Sequence, residues 1–403
     1  MEIKSKLNCF YRWEFFWLTV IVLGTLILHL SIVNYPPTVI LDETHYIGDA
    51  RNIIENHETL RGEHPPLAKL LIVAGIKIFG DNPWGWRVLP ILFSTATVLM
   101  FYFLCRKLNM SNTAASLAVF LLATENLFFM LSGLAMLDVF SLTFMMAAFL
   151  LYVYRRYISS GVSIGLSALS KLTGALALPA VGIHWLFSQR GRSRWFMLTI
   201  ILSIVVFLGL MPVLDMAVTQ SSSGAQNPVS QVDNMLSLTS SLTFATVEHP
   251  SKSPPWEWLY TYKPMPFNYI PHWTAAISFS IWALIIPVFL YMLWRAIKRD
   301  EAGLFGVSWF FTTYLVWIPA TIITDRVTYI YYFYPAVGAI CLGLGLGLGQ
   351  LIDFFKNRPS GKLKWLALSI VILILAAHVI SFLVLSPFIP VDFVKAIGMN
   401  TTH

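Results

Sequence analysis

Asp42 and Glu43 stand side by side in a polar stretch, Leu41 to Lys69, of an otherwise very apolar sequence. Neighbouring carboxylates point in different directions whatever the local backbone, so one can act on a reacting group while the other holds a partner. At the edge of a low-dielectric region a carboxylate gains proton affinity, which suits a general base. The same pair also reads as a solvated loop or as the N-terminal cap of a helix. His64 is fixed in direction by the rigid Pro65-Pro66 that follows it. It reads as a binding, positioning or ligating residue, or as an exposed polar one. Asp42, Glu43, His45 and His64 include donor types for a divalent cation. No D-x-D or H-x-x-x-H spacing accompanies them, and no metal or other cofactor is assigned. Arg87, Lys171 and Arg326 lie at or inside apolar boundaries, where a cation needs a partner or must snorkel. Asp138 and Asp325 are candidate partners. Three cations converging on one leaflet also suit a phosphate headgroup.

The elements that position these residues are membrane spans. The 403 residues are 57% hydrophobic and 12% charged, with a mean hydropathy of +0.69, far from soluble globular composition. Apolar runs long enough to cross about 30 Å of hydrocarbon occur near 15–33, 86–104, 113–131, 133–154, 195–214, 274–294, 304–323, 328–351 and 364–386. A further run, 161–187, is interrupted by Lys171 and flanked by basic residues on both sides. Read as a hairpin of two short helices with Lys171 near its far end, it brings the expectation to an all-α polytopic protein of about eleven spans. With the N-terminus inside, the cytoplasmic segments collect Lys4, Lys6, Arg12, Arg106, Lys107, Arg155, Arg156, Arg190, Arg192, Arg194, Arg295, Lys298, Arg299, Lys356, Arg358, Lys362 and Lys364. Most of the acids then fall outside, where the site is expected. The net charge of +7 is largely this positive-inside signal; no basic aromatic module points to nucleic acid. Cys9, Cys105 and Cys341 supply no disulfide framework for the outer loops, and the first apolar run reads as a retained span.

Residues 34–85 form the first outer loop. Ile47, Ala50, Ile53 and Ile54 recur at helical spacing and predict an amphipathic helix at the membrane surface. A second is expected from Leu67 to Phe79, started by the proline pair. The long outer loop, 215–273, opens with a Ser-, Gly- and Asn-rich piece expected to be mobile. It closes with a Pro-, Trp- and Tyr-dense piece, Val247 to Trp273, expected to be an ordered flap. Gly343, Gly345, Gly347 and Gly349 favour close helix packing, and no strand precedes them to support nucleotide binding.

LDETHY (41–46), HPPLAKLL (64–71), Arg87 in WGWRVLP, Glu125 through Asp138, Lys171 in LSKLTG and HPSKSPPWEW (249–258) together resemble the protein O-mannosyltransferases. These are dolichyl-phosphate-mannose-dependent members of the GT-C glycosyltransferase superfamily, and the eleven-span topology agrees with them. The resemblance covers most of the chain as one catalytic domain, 1–403. It implies a polyprenyl (dolichyl) phosphate sugar donor, a protein Ser or Thr acceptor, and transfer with inversion at the extracytoplasmic face. That face belongs to the plasma membrane in a prokaryote and to the endoplasmic reticulum in a eukaryote. Carried over residue by residue, it makes Asp42 the base and Glu43 the acceptor-orienting acid. Arg87, Lys171 and Arg326 would hold the donor phosphate; His45, Tyr46, His64, Lys69, Glu125, Asp138, His249, Trp256 and Trp258 would position substrate. A phosphate leaving group needs no proton, so a single carboxylate base suffices, unlike glycoside hydrolysis. The large eukaryotic members carry a β-trefoil MIR region in the long loop, for which this loop is too short; the chain resembles a short prokaryotic form.

A sister reading is transfer to a lipid or an existing glycan, as in aminoarabinose transferases, which typically show K-P-P where this chain has His64-Pro65-Pro66. A transporter is the alternative of a different class. It calls for mid-span charges and two related halves, whereas most charges here lie at span boundaries.

Overall fold

The computed structural model describes residues 15–190, 192–268, 273–357 and 361–388; Lys4, Lys6, Cys9, Arg12 and Arg358 lie outside them. Helix α1 (Phe16–Ile32) leads into the polar stretch, which folds as α2 (Glu43–Asn56) and α3 (Pro66–Phe79) before α4 (Pro83–Lys107). A pair bent by 60° follows, α5 (Asn112–Ala123) and α6 (Asn126–Ser132). Helices α7 (Leu137–Val153) and α8 (Tyr157–Ser170) come next; Lys171 then breaks the helix and a 3-10 turn (Leu172–Leu176) runs into α9 (Ala177–Phe187). Beyond α10 (Phe196–Thr219) the long loop contains α11 (Pro228–Ser240), a 3-10 turn (Pro255–Leu259) and an antiparallel hairpin of β1 (Met265–Asn268) and β2 (Trp273–Ala275). The rest is α12 (Phe279–Trp282), α13 (Ile285–Ile297), α14 (Glu301–Phe310) continued by a π turn (Phe311–Leu315) into α15 (Trp317–Thr324), α16 (Tyr334–Asn357) and α17 (Lys362–Leu385).

Among the described residues five helical segments are long and apolar enough to span a bilayer, six if the bent α5–α6 pair is one. Shorter apolar helices of 10–17 residues accompany them, α1, Leu172–Phe187, α7 and α13 among them. The surface pattern fits a hydrocarbon solvent, since Ile201, Ile204 and Val205 of α10 and Ile372 and Leu373 of α17 are all exposed.

The two helices of the first loop form where the apolar spacing predicts them. Ile47, Ala50 and Ile53 are buried on one face of α2, and Pro66 occupies the first turn of α3, where a missing N–H costs nothing. The expected glycine packing takes two faces of α16. A Cβ at Gly345 or Gly349 would come within 2.5 Å of the Cβ of Ala118 or Ala114 on α5, and one at Gly343 within 2.6 Å of Val288 on α13.

Two stretches, in the long loop and just after it, depart from expectation. The last four residues of the piece expected to be mobile, 228–231, form the first turn of α11, whose start is specified by Asn227 accepting from the amides of Val229 and Ser230 and by Pro228 in the first turn. Its apolar Met235 packs with Leu169 and Met211. The apolar run 274–294 opens as strand β2 rather than helix, adding a small hairpin to an otherwise helical chain.

Candidate active site

Asp42 occupies the N-cap position of α2 but makes no side-chain capping bond. Its carboxylate faces a cavity of about 380 Å³, within the usual size of small-ligand sites. The cavity walls come from distant parts of the chain. Helix α2 supplies Asp42, His45 and Tyr46; the turn before α3 supplies Arg61, Glu63 and His64; the start of α7 supplies Asp138. Lys171 and Thr173 enter from the break after α8, Thr313 and Trp317 from the π turn and α15, and Arg326, Tyr329, Tyr331 and Tyr332 from the link into α16.

Glu43 points the other way. Its side chain is fully buried and pairs with Arg87 through both oxygens, Nε to Oε1 at 3.0 Å and Nη2 to Oε2 at 2.8 Å. The amide of Ala135 donates to Oε1 at 2.9 Å. Arg87 gives its remaining donors to the carbonyls of Val33, Pro36 and Thr38 at 2.9, 2.7 and 3.1 Å. The partner this buried cation needs is therefore the protein itself, and Arg87 does not line the cavity. Glu43, expected to orient the acceptor, instead ties the entry to α2 onto α4 and onto the segment entering α7. The start of α2 carries the cavity acid Asp42, and α7 carries Asp138.

Lys171 and Asp138 form a second pair, with Nζ 2.8 Å from each carboxylate oxygen. It opens onto the cavity. The ammonium lies 5.9 and 5.7 Å from the ring centres of Tyr331 and Tyr332, close enough for cation–π attraction. Arg326 bonds the carbonyls of Thr239 and Leu242 through Nη1 and the Tyr332 hydroxyl through Nη2 at 3.3 Å. Asp325, a candidate partner for the cations, instead accepts from the amides of Phe244 and Ala245. Together with the Val327 amide on Leu242, these contacts clamp the long loop beside the cavity.

Burial raises the Asp42 carboxyl above its ordinary value. Lys171 opposes that shift, Asp138 adds to it, His45 opposes it, and so does a hydrogen bond from Tyr331. Burial and then the cations Lys171, Lys69, Arg326 and Arg61 hold His64 well below the usual imidazole range. His64 is thus a neutral donor or acceptor at neutral pH, set edge-on to Tyr46 with ring centres 5.7 Å apart. Burial also raises the Tyr46 phenol well above its ordinary value, so it too stays neutral.

Several residues expected to position substrate lie elsewhere. Lys69 is buried against Asp49 at 3.4 Å and bonds Thr59 Oγ1 at 2.7 Å and the Arg61 carbonyl. It fixes the turn that delivers Arg61, Glu63 and His64, without lining the cavity itself. Glu125 caps α6 by accepting from Phe128 at 2.8 Å and takes the Ser278 amide at 2.7 Å, stapling the bent corner to the segment after β2. Trp258 is fully buried, donating to Ser253 Oγ at 2.9 Å. His249 packs edge-on against Tyr329 and accepts from the Ser251 amide, and Trp256 is exposed. Among the described residues of 247–273, only Val247 lines the cavity.

Sequence reasoning passed over Arg61, Glu63, Thr313, Trp317 and the tyrosines at 329, 331 and 332. The tyrosines carry a readable signal, since TYIYYFYP (328–335) packs four phenols at the mouth of an apolar run. Thr313 has none; it lies in the π turn, which no residue spacing announces. Among the described residues no three His, Cys, Asp or Glu side chains gather as a metal-ligand set.

Comparison with known proteins adds an independent line. Residues 63–215 match the family described as dolichyl-phosphate-mannose-protein mannosyltransferase. A polyprenol-phosphate-mannose–protein mannosyltransferase of Corynebacterium glutamicum is 24% identical over an alignment covering 94% of this chain and 89% of the relative. One from Mycobacterium tuberculosis is 31% identical over a shorter match, 42% of this chain and 33% of that protein. The fold superposes on the S. cerevisiae protein O-mannosyltransferase Pmt1–Pmt2 complex bound to the sugar donor with a TM-score of 0.73, covering 93% of this chain and 90% of that one at 13% identity. The chain is a multi-pass membrane glycosyltransferase of the GT-C fold. Within that class its sequence is similar to the protein mannosyltransferases, through the family match over residues 63–215 and at low identity over most of the chain.

Proposed function

We propose that this chain transfers mannose from a polyprenyl (dolichyl) phosphate to Ser or Thr hydroxyls of proteins, with inversion, at the extracytoplasmic membrane face. The observation that carries the reading is the Asp42 carboxylate. It is uncapped, desolvated and directed into a cavity that also holds Lys171 and Arg326. In the reaction the acceptor oxygen forms a bond to the anomeric carbon as the bond from that carbon to the phosphate oxygen breaks. Asp42 takes the hydroxyl proton, and the bonding pair leaves on the polyprenyl phosphate. Arg326, with Lys171 adding positive potential, stabilises the charge growing there; Arg87 has no part in it. His64 and Tyr46, both neutral, offer hydrogen bonds to sugar or acceptor hydroxyls. The proposed topology has about eleven crossings in one catalytic unit. It is supported by Arg106, Lys107, Arg155 and Arg190 gathering about one cleft, at the opposite ends of α4 and α7 from the cavity.

The test is transfer from radiolabelled dolichyl-phosphate-mannose to a Ser/Thr-rich peptide by the purified chain, with Asp42→Asn in parallel and a lipid acceptor as a third arm. Peptide labelling that disappears in the variant is expected. Labelling confined to the lipid acceptor would overturn the protein as substrate, and near-normal turnover by Asp42→Asn would remove Asp42 as the base.

A further inference from the structure

At the far end of the bundle four basic residues from three separate elements surround an open cleft of about 500 Å³. Arg106 and Lys107 close α4, Arg155 follows α7 and Arg190 follows α9. Asp138, at the other end of the 17-residue α7, lines the catalytic cavity. At 1.5 Å per residue the two sites are roughly 25 Å apart along that helix.

Two ordinary causes put cations in such places, the positive-inside bias and the negative ends of helix dipoles. Neither requires them to converge on one concavity, as they do here. The Arg155 guanidinium reaches the Arg190 carbonyl, and Arg190 in turn reaches the Lys107 carbonyl. The three chain ends are thereby laced together, while most of the Arg155 fork stays uncommitted. Arg155 and Asn109 both hold left-handed backbone, with φ of 60° and 68°, which turns the chain sharply at the rim. The neighbouring carboxylate, Glu301, is already engaged. It accepts from Ser188 Oγ at 2.9 and 2.7 Å and from the Gln189 amide at 3.0 Å, and it pairs with Arg190 Nε at 3.3 Å. Among the described residues neither Lys107 nor Arg155 has a carboxylate partner.

We propose that this cleft binds a phosphate-bearing anion, as a second site separate from the catalytic cavity. The Arg155 fork matches phosphate oxygens in pairs, and Lys107, poised 4.7 Å over the Tyr154 ring, adds a point charge. An anionic lipid headgroup and a free phosphate share this chemistry. Exposed Tyr154, Phe187 and Trp195 nearby suit a membrane interface. The proposal does not rest on the identity of the sugar or acceptor.

The experiment titrates the purified full chain in neutral detergent with dihexanoyl-phosphatidylglycerol and, separately, with inorganic phosphate, read by calorimetry. Saturable binding is expected for at least one. It should weaken by about ten- to thirtyfold in the double variant Lys107→Gln/Arg155→Gln. It should recover in Lys107→Arg/Arg155→Lys, and stay unchanged in Arg192→Gln, which removes a nearby charge outside the cleft. Lys107 and Arg155 are exposed, and an unchanged melting temperature verifies folding. Lipid binding without phosphate binding assigns the site to the membrane, and the reverse assigns it to a soluble anion. Binding of neither probe, unchanged binding in the Gln pair, or an equal loss in Arg192→Gln would overturn the proposal.

Discussion

Two buried carboxylate–cation pairs, Glu43–Arg87 and Asp138–Lys171, have the same closest approach of 2.8 Å and opposite uses. In the first both side chains are fully buried, and the donors and acceptors left over are consumed by Val33, Pro36, Thr38 and Ala135. In the second the Lys171 side chain keeps 13% exposure and the pair borders the cavity. A pair whose residual hydrogen bonding goes to backbone is a joint, whereas one facing a cavity remains available to a ligand. The joint also builds the site, since Glu43 adjoins Asp42 and its acceptor bond from Ala135 lies three residues before Asp138.

Four measurements test the distinction between the two pairs. The largest effect belongs to Asp42→Asn, which preserves shape and removes basicity. Turnover should drop by about two to four orders of magnitude with the melting temperature unchanged, as followed by peptide labelling and thermal unfolding in detergent. Next is Arg87→Met, which strands Glu43 in the interior and should cost about 3–5 kcal/mol of stability. Glu43→Gln/Arg87→Met should regain much of it. A stable Arg87→Met protein with weakened donor binding would dissolve the distinction between the pairs. Lys171→Met should act in the opposite sense, lowering kcat/KM by about tenfold while shifting melting less than Arg87→Met does.

The smallest effect is on pH dependence. Burial raises the Asp42 carboxyl, and a base is lost as pH falls through its pKa. The acid limb of kcat/KM should therefore lie above the ordinary carboxylate range. Tyr331 donates to the carboxylate and favours its charged form. Tyr331→Phe should move that limb to still higher pH, and a shift toward acid would mean that Asp42 is not the titrating base.

Much of this was legible in the residues alone. Apolar residues at helical spacing, Ile47 to Ile54, fall inside α2, and the expected 67–79 differs from α3 by one residue, because a helix with one wet face needs that period. The break at Lys171 was equally plain, since a cation inside an apolar run forces a local departure from the span. The reading of 220–231 as mobile missed the helix start at its end, where composition outweighed the Asn227 cap followed by a first-turn proline.

Residue types determined that this chain is a polytopic membrane protein and that its polar chemistry gathers after the first span, because hydrocarbon tolerates neither unpaired backbone nor scattered charge. Only the tertiary structure decided which acid faces the cavity. Asp42 and Glu43 differ by one step along a helix, and that step separates a carboxylate open to a ligand from one sealed by Arg87. It likewise decided that Lys69 and Glu125 are braces, since their partners Asp49 and Ser278 are joined to them by packing that no local spacing encodes.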